Sequence, residues 1–411
     1  MHKIPLSVLY TQPDRPRQET RYARALAAFT DRFGQKPVRF FSAPGRSELC
    51  GNHTDHQKGN ILACAIERDA IAVAAPQADG TVTLLADGFG EFSLSLSDLA
   101  AREDEKGTSL ALLRGVLAGL QKRGFQIGGA ELYVTSEVLS GSGLSSSAAF
   151  EVLLGAVFSG LYNDGRVTPL ELAQIAQEAE NIYFGKPCGL MDQSACAYGG
   201  LVQIDFGGDT PKVDNLSVDL AAFGYSLCLV DTRGSHADLT DAYAAIPAEM
   251  CAVANFFGKS VLSQVDEEEF RAAIPALREK CGDRAVMRAM HFFAETQRAI
   301  SAVIALKKAD IGAFLDVISA SGNSSFKYLQ NVTAPKSSRE QNLALGLCLS
   351  EAILGNNGIC RVHGGGFAGT LQTFVKQPFL AQYCSEIEAI FGEGSCLCTG
   401  MRPYGAVEVS L

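Results

Sequence analysis

The sequence predicts a mixed α+β protein built from two domains. Its 411 residues exceed what one ordinary hydrophobic core supports, which favours more than one domain. The predicted strands and helices do not alternate regularly, so a parallel sheet with crossover helices is not indicated. A polar connection at 207–215 separates two predicted strands, and we place the boundary there, between domains 1–212 and 213–411.

Hydrophobic periodicity and turn signals locate the elements of the first domain. Helical spacing of apolar residues predicts helices over 20–33 and 108–123. A capping box from Thr168 to Glu171, with proline at the first helical position, starts a helix predicted to end at 184. Asp79 and Gly80 are typical of a hairpin turn, so the strands on either side are expected to pair. The predicted strands of this half are 39–43, 69–75, 81–86, 130–136 and 201–206.

Long helical patterns dominate the second domain. They predict helices over 239–258, 284–307 and 337–354. The predicted strands of this half are 225–231, 360–363 and 370–375.

Charge and hydropathy exclude two classes of partner. The formal net charge of −10 argues against nucleic acid, whose phosphate backbone attracts clusters of Lys and Arg. No apolar run is long enough to span a bilayer. The first residues lack the basic-then-apolar layout of a signal peptide, so we expect a cytoplasmic protein without a membrane partner.

The 12 cysteines and six histidines show no recognised metal-binding spacing. Cys396 and Cys398 are the closest cysteine pair, and one intervening residue is too few for a usual zinc knuckle. We therefore expect reduced thiols, many of them packed as small hydrophobic side chains.

A glycine- and serine-rich loop at 139–149 runs directly into an apolar helical segment at 150–161. Glycines allow close backbone approach to a ligand, and a helix start offers free N–H groups and partial positive charge. Together these features predict a phosphate site, although the segment lacks the ending of a Walker loop. The alternative is a flexible turn with a serine N-cap. The predicted phosphate-binding residues are Gly141, Ser142, Gly143, Leu144, Ser145, Ser146, Ser147 and Ala148.

Three further segments, at 43–56, 185–193 and 363–370, extend this pattern. The segment at 185–193 resembles the stretch of the galactokinase family that carries the catalytic aspartate. With the serine loop between them, the other two segments resemble in order the three motifs of the small-molecule kinase superfamily named for galactokinase, homoserine kinase, mevalonate kinase and phosphomevalonate kinase (GHMP kinases). Within it, Gly51-Asn52-His53-Thr54-Asp55 is similar to the galactokinase family motif. The resemblance covers roughly Arg32 to Val375.

The resemblance implies a fold and an activity. It implies an N-terminal domain like ribosomal protein S5 domain 2, a ferredoxin-like C-terminal domain, and an active site in the cleft between them. It also implies an ATP-dependent sugar 1-kinase that uses Mg²⁺ and converts galactose to galactose 1-phosphate by direct in-line transfer. We expect such a protein to act as a monomer or weak dimer.

The resemblance also implies the residues of phosphoryl transfer. Asp192 matches the catalytic aspartate and Arg46 its arginine neighbour, whereas Ser147 and Glu180 match the metal ligands. The third motif, Gly364, Gly365 and Gly366, would bring glycine backbone close to the phosphate loop. From the residues alone, the alternatives are a capping carboxylate for Asp192, a surface ion pair for Arg46 and a solvated helix residue for Glu180.

The implied sugar site departs from the family pattern. His53 and Asp55 match sugar-binding residues, and Tyr243 matches a sugar-contacting tyrosine whose alternative role is core packing. Glu48 stands where the family has asparagine, and Asn52 where it has a sugar-contacting glutamate. Both are candidate sugar ligands. This exchange leaves open a kinase for a related sugar, of the arabinose, galacturonate or N-acetylgalactosamine type. A catalytically silent sugar-sensing regulator is the remaining alternative.

Overall fold

The computed structural model describes residues 1–10, 14–138, 143–216, 218, 220–234, 239–334 and 337–411. Within them, two sheets are flanked by helices. The strands are β1 Lys3–Pro5, β2 Arg39–Cys50, β3 Asn60–Gln77, β4 Thr81–Ala86, β5 Gly90–Ser95, β6 Gly129–Ser136, β7 Leu201–Asp205, β8 Lys212–Leu216, β9 Tyr225–Asp231, β10 Gly358–Val362, β11 Thr370–Lys376, β12 Cys396–Thr399 and β13 Val407–Ser410.

The helices account for most of the remaining described chain. In the N-terminal half they are α1 Leu6–Leu9, α2 Arg15–Phe33, α3 Ser109–Lys122, α4 Ser146–Asn163, α5 Pro169–Glu178 and α6 Met191–Tyr198. In the C-terminal half they are α7 Thr240–Phe256, α8 Glu267–Ala272, α9 Ile274–Cys281, α10 Asp283–Lys307, α11 Ile311–Ser324, α12 Asn342–Leu354 and α13 Leu380–Phe391. Among the described helices, none is both long and apolar enough to cross a membrane.

The larger sheet carries most of the N-terminal half. Its order is β1-β13-β2-β3-β6-β4-β5, with β7 added to β3 and β8 to β7. The pairing of β2 with β3 shifts register between Pro44 and Arg46 and again between Glu48 and Cys50. Such bulges re-aim side chains, and here they fall within the first predicted motif.

The hairpin predicted at Asp79 and Gly80 is wrong. The two flanking strands, β3 and β4, do not pair, because β6 lies between them and runs parallel to β4. The turn signal was local, whereas the neighbour of each strand is decided by which strand best covers the core.

The smaller sheet is antiparallel, in the order β10-β11-β9-β12. Buried residues of α12 and α13 pack with its strands in one apolar cluster, and α7, α9 and α10 form another. The mixed α+β class is confirmed, and the predicted helix 168–184 divides into α5 and a π-helical turn at Ala179–Phe184.

The strands of the larger sheet show where the boundary between the two domains, predicted between residues 212 and 213, should lie. That point falls inside β8, which pairs with β7 of the larger sheet, and β13 returns to the same sheet. We therefore place the junction in the connection between β8 and β9, and assign the chain's final strand to the first domain.

A buried charge network anchors this returning strand. Asp69 on β3 is fully buried and lies 2.6 Å from Arg21 Nη1 on α2 and 2.8 Å from Arg402 Nη1. Ser42 and Tyr10 also donate hydrogen bonds to its carboxylate. Burial raises the pKa of Asp69, but the Arg21 and Arg402 charges outweigh it and hold the pKa at about 2.

We expect Asp69→Asn to lower the free energy of unfolding at pH 7 by about 3–5 kcal/mol, because two arginines lose their buried counter-charge. The folded-state pKa lies below the unfolded value of about 3.9. The stabilisation is therefore present above pH 4 and is lost as pH falls through about 2.

Urea unfolding of both proteins between pH 7 and pH 2 measures this effect. The difference in unfolding free energy between the unmutated protein and Asp69→Asn should narrow below pH 4. Asp209→Asn, at an exposed position, serves as the control. A difference that stays constant across that range would contradict the assignment.

Candidate active site

A buried ion pair joins the first motif to the start of α6. Arg46 projects from β2 beside the bulge and binds both carboxylate oxygens of Asp192, with Nε at 2.8 Å and Nη2 at 3.0 Å. The arginine side chain is 7% exposed and the aspartate 25%. The guanidinium is thus enclosed, while the carboxylate retains an open side that a ligand can reach.

The pair keeps Asp192 ionised. Burial raises the pKa of this carboxyl, but the Arg46 charge and hydrogen bonds from Arg46 and Ser145 outweigh burial, so the pKa lies below its usual value. Neither a capping carboxylate nor a surface ion pair describes this geometry.

The end of the serine loop meets the same pair. Ser145 adopts a left-handed conformation, φ +60°, directly before α4. Its hydroxyl donates to Asp192 and does not accept a hydrogen bond from the first turn of the helix, as a capping side chain would. Arg46 donates to the Gly143 carbonyl, and its backbone N–H to the Leu144 carbonyl. The described part of the loop is therefore held by its neighbours, unlike a flexible turn with a serine N-cap.

The rest of the predicted phosphate loop is only partly described. Gly141 and Ser142 lie outside the described residues. Ser146 opens α4, so the helix begins before the predicted residue 150, and Ala148 is buried in its first turn. The start of this helix, with its free N–H groups, faces the same region as Ser145.

The two predicted metal ligands lie together. Ser147 Oγ is 2.9 Å from Glu180 Oε1, and Glu180 is buried at the beginning of the π-helical turn. Its other oxygen accepts from Gln193 Nε2 at 2.7 Å, and Lys186 Nζ lies 2.9 Å from the first. Glu180 is therefore not a solvated helix residue.

Close packing fixes this turn. A Cβ on Gly115 of α3 would lie 2.7 Å from the Cα of Ala179, so the two segments approach more closely than a side chain allows. The turn that presents Glu180 is thus set by a neighbouring glycine.

The sequence analysis missed Glu151. It lies one helical turn after Ser147 on α4 and is buried, and its Oε1 has no hydrogen-bond partner in the described chain. Burial, followed by the Glu180 charge, raises the pKa of Glu151 well above its usual value. The i, i+4 spacing from Ser147 was the available signal. Together Ser147, Glu151 and Glu180 offer only oxygen atoms, which suits Mg²⁺.

Glu48 and Asn52 are neighbours, and both are committed to partners inside the protein. Asn52 Nδ2 lies 3.1 Å from Glu48 Oε1 and 2.8 Å from the Gly364 carbonyl, and Asn331 donates to Asn52 Oδ1 at 2.8 Å. Glu48 is ion-paired with Arg361 at 3.1 Å. Because each side chain is buried, each has hydrogen-bond partners within the chain. Direct sugar binding by Glu48 and Asn52 stays a prediction.

The third motif contacts the sugar-motif residues. His53 Nε2 lies 3.1 Å from the Gly365 carbonyl, and Tyr243 donates to the Gly366 carbonyl at 2.8 Å. Burial, followed by the His56 charge, lowers the pKa of His53 to about 4. Tyr243 is thus packed against this motif.

The predicted approach of Gly364, Gly365 and Gly366 to the phosphate loop is not seen among the described residues. His363 lies there instead, since a Cβ on Gly143 would come 3.3 Å from its Nδ1. Neither ring nitrogen of His363 has a partner in the described chain. The turn at Gly364 and Gly366, both at positive φ, directs the glycine carbonyls toward Asn52 and Tyr243.

Asp55 connects the sugar motif to the segment before Asp192. Its carboxylate lies so close to Gly189 that a Cβ there would be 2.1 Å from Asp55 Oδ2. Only glycine allows this approach. The structure therefore gathers Arg46, His53, Asp55 and Asp192 into one region between the sheet and the helices of the second half.

Comparisons with known proteins show which family the chain resembles. The family model for the GHMP kinases N terminal domain matches residues 111–200, and the galactokinase galactose-binding signature matches residues 27–76. A galactokinase of Streptomyces coelicolor is 31% identical over 370 residues, covering 88% of this chain and 91% of that protein.

Solved structures show the same fold. A Lactococcus lactis galactokinase complexed with galactose superposes with a TM-score of 0.81 at 23% identity, covering 95% of this chain and 100% of that one. A Methanococcus jannaschii mevalonate kinase gives 0.62 at 15% identity, covering 89% and 99%.

Fold and site together define a phosphotransferase of the GHMP kinase class, acting on an alcohol group. Within that class, the chain belongs to the galactokinase family.

Placing the family's glutamate at position 52 tests the contact between Glu48 and Asn52. We expect Asn52→Glu to destabilise the protein by about 3 kcal/mol, because it replaces a hydrogen bond to Glu48 with a second buried carboxylate. In the double variant Glu48→Gln/Asn52→Glu, the repulsion between the two carboxylates is removed. At least about 1 kcal/mol of the lost unfolding free energy should therefore be recovered.

The measurement is a double-mutant cycle of unfolding free energies with Glu48→Gln alone as the fourth corner. Additive effects would show that residues 48 and 52 do not interact.

Proposed function

We propose that this protein transfers the γ-phosphoryl group of ATP to the C1 hydroxyl of galactose, forming galactose 1-phosphate and ADP. The observation that carries the proposal is the contact of Asp192 with both Arg46 and Ser145. It puts an ionised carboxylate, a fixed cation and the start of α4 in one place, as phosphoryl transfer between two bound substrates requires.

In this mechanism, Asp192 orients the C1 hydroxyl and accepts its proton as the bond to phosphorus forms. Its low pKa makes it a weak base, which suits a loose transition state in which the proton leaves late. Arg46 holds the carboxylate in place and offsets negative charge on the transferred group. The free N–H groups at the start of α4 bind the phosphates.

Ser147 and Glu180 would hold Mg²⁺, with Glu151 as a further oxygen donor behind them. When bound, Mg²⁺ neutralises charge on the phosphate oxygens. Lys186, at 2.9 Å from Glu180, contributes a second positive charge beside the same carboxylate.

Asp55 and His53 are the proposed sugar ligands. A carboxylate accepts from two adjacent hydroxyls, and the half-buried neutral imidazole donates or accepts one hydrogen bond. Asn52 and Glu48 support this surface from behind through Gly364 and Arg361. Tyr243 forms one wall by packing on the third motif.

A related sugar is the second candidate substrate. The observation that favours it is the burial of Asn52, which stands in place of the family's charged sugar ligand and directs its amide into the protein. A site lacking that acceptor discriminates less strongly between sugars that differ at one hydroxyl. We retain the expectation of a cytoplasmic enzyme acting as a monomer or weak dimer.

A coupled assay of ADP release with MgATP tests the proposal. We expect galactose to give a higher kcat/KM than glucose, arabinose, galacturonate and N-acetylgalactosamine, with no release in a sugar-free blank. A better rate with another sugar would move the substrate but keep the mechanism. Absence of turnover with every sugar in a folded, ATP-binding protein would favour the sensor alternative.

The same assay with Asp192→Asn tests the mechanism. We expect kcat to fall by about 10²–10⁴-fold, because the variant can neither accept the proton nor pair with Arg46. ATP affinity should change far less, and exposed Asp209→Asn should retain full activity. Full turnover by Asp192→Asn would exclude this residue as the base.

Glu180→Gln tests the metal site. We expect the Mg²⁺ concentration for half-maximal activity to rise at least about tenfold, because one charged oxygen ligand becomes neutral.

Glu178→Gln is the matched control, since Glu178 lies two residues earlier and pairs with Lys122 and Arg123 away from Ser147. An equal response of both variants in a Mg²⁺ titration would argue against Glu180 as a ligand.

A further inference from the structure

Four cysteines far apart in the sequence converge in the C-terminal sheet. The Sγ atoms of Cys228, Cys384, Cys396 and Cys398 all lie within 4.8 Å of one another. Three of the separations are shorter: Cys228–Cys398 at 3.4 Å, Cys384–Cys398 at 3.3 Å and Cys384–Cys396 at 3.4 Å. This four-cysteine cluster is distinct from the candidate active site.

The fold explains the convergence. Cys228 and Cys398 are directly paired in the antiparallel ladder of β9 and β12, so their side chains share one face. Cys396 is two residues from Cys398 on the same strand and therefore points to that face as well. Cys384 lies on α13. On the same helix, Tyr383 and Ile387 are fully buried against the sheet.

We propose that the four-cysteine cluster binds one structural Zn²⁺ ion in a tetrahedral site. Zinc–sulfur bonds of about 2.3 Å place four tetrahedral sulfurs roughly 3.8 Å apart. The three separations of 3.3–3.4 Å are slightly shorter than this value, and all the sulfur atoms lie within 4.8 Å of one another, so only small side-chain rotations are needed. All four ligands are sulfur, which selects zinc over the hard cation of the active site.

The spacing and burial of the four sulfur atoms favour a single metal ion over an iron–sulfur cluster. An iron–sulfur cluster needs room for inorganic sulfide and several irons between its thiolates, and sulfur atoms within 4.8 Å of one another leave none. Two of the cysteines, Cys228 and Cys396, are buried and the other two are half-buried. Such a closed set without an open position is typical of structural rather than catalytic zinc.

The ion would secure the edge of the smaller sheet. β12 is an edge strand of four residues, Cys396–Thr399, and pairs only with β9 among the described strands. A four-residue edge is a weak anchor by itself. Zinc would tie β12, β9 and α13 together, next to the point where the Asp231 N–H binds the Ser395 carbonyl.

Metal analysis of the full-length, untagged protein tests the proposal. We expect about one zinc per chain after dialysis against a weak chelator. Cys384→Ser and Cys396→Ser should each reduce this to a small fraction and lower the melting temperature. Cys348→Ser is the matched control, because Cys348 is exposed on α12 and outside the cluster.

Cobalt substitution keeps the test independent of how well the variants fold. After zinc is removed from the unmutated protein and Co²⁺ is added, we expect intense sulfur-to-cobalt charge-transfer bands with visible bands of tetrahedral cobalt. Their restoration of the original melting temperature would support a structural ion. Absence of zinc together with absence of these bands would overturn the proposal.

Intact-mass analysis under anaerobic, non-reducing conditions tests whether the four cysteines form disulfides instead of binding zinc. Zinc ligation predicts four free thiols after denaturation with a chelator. Two disulfides within the cluster, shown by a mass lower by four hydrogens, would overturn the proposal. The cluster shares no residue with the proposed active site, so the kinase assay remains a separate test of the proposed function.

Discussion

The buried pair of Arg46 and Asp192 is the interaction around which the site is organised. A guanidinium enclosed in the protein and a partly buried carboxylate must be compensated by charge and hydrogen bonds. The planar guanidinium binds both oxygens of Asp192 and still donates to the carbonyl of Gly143. One side chain therefore fixes the bulged strand β2, the start of α6 and the end of the serine loop relative to one another.

The same requirement shapes the sugar motif. Glu48, buried in the fold, is held by Arg361, and Asn52 bridges Glu48 to the Gly364 carbonyl. The exchange of residue types between positions 48 and 52 thus preserves a single buried carboxylate. It also turns that carboxylate inward, which is why Asp55 and His53 remain as the proposed contacts to sugar.

Much of the site followed from sequence because its motifs are contiguous. Arg46, Asp192, Ser147 and Glu180 were each predicted, and the structure brings them together in the two pairs expected. Glu151 was not predicted, because a glutamate in a helix is usually solvated and its i, i+4 spacing from Ser147 does not by itself indicate burial. The third motif was placed beside the phosphate loop, but its glycine carbonyls are taken by Asn52, His53 and Tyr243.

The sequence by itself determined the α+β class, the longer helices and the motif residues, since periodicity and local turn chemistry act over a few residues. Tertiary structure alone decided which strands pair, that Glu48 is ion-paired with Arg361 and which cysteines lie together. The insertion of β6 between β3 and β4 and the gathering of Cys228 with Cys396 both join residues far apart in the chain. Such contacts depend on how the whole core is buried, and no local pattern encodes that.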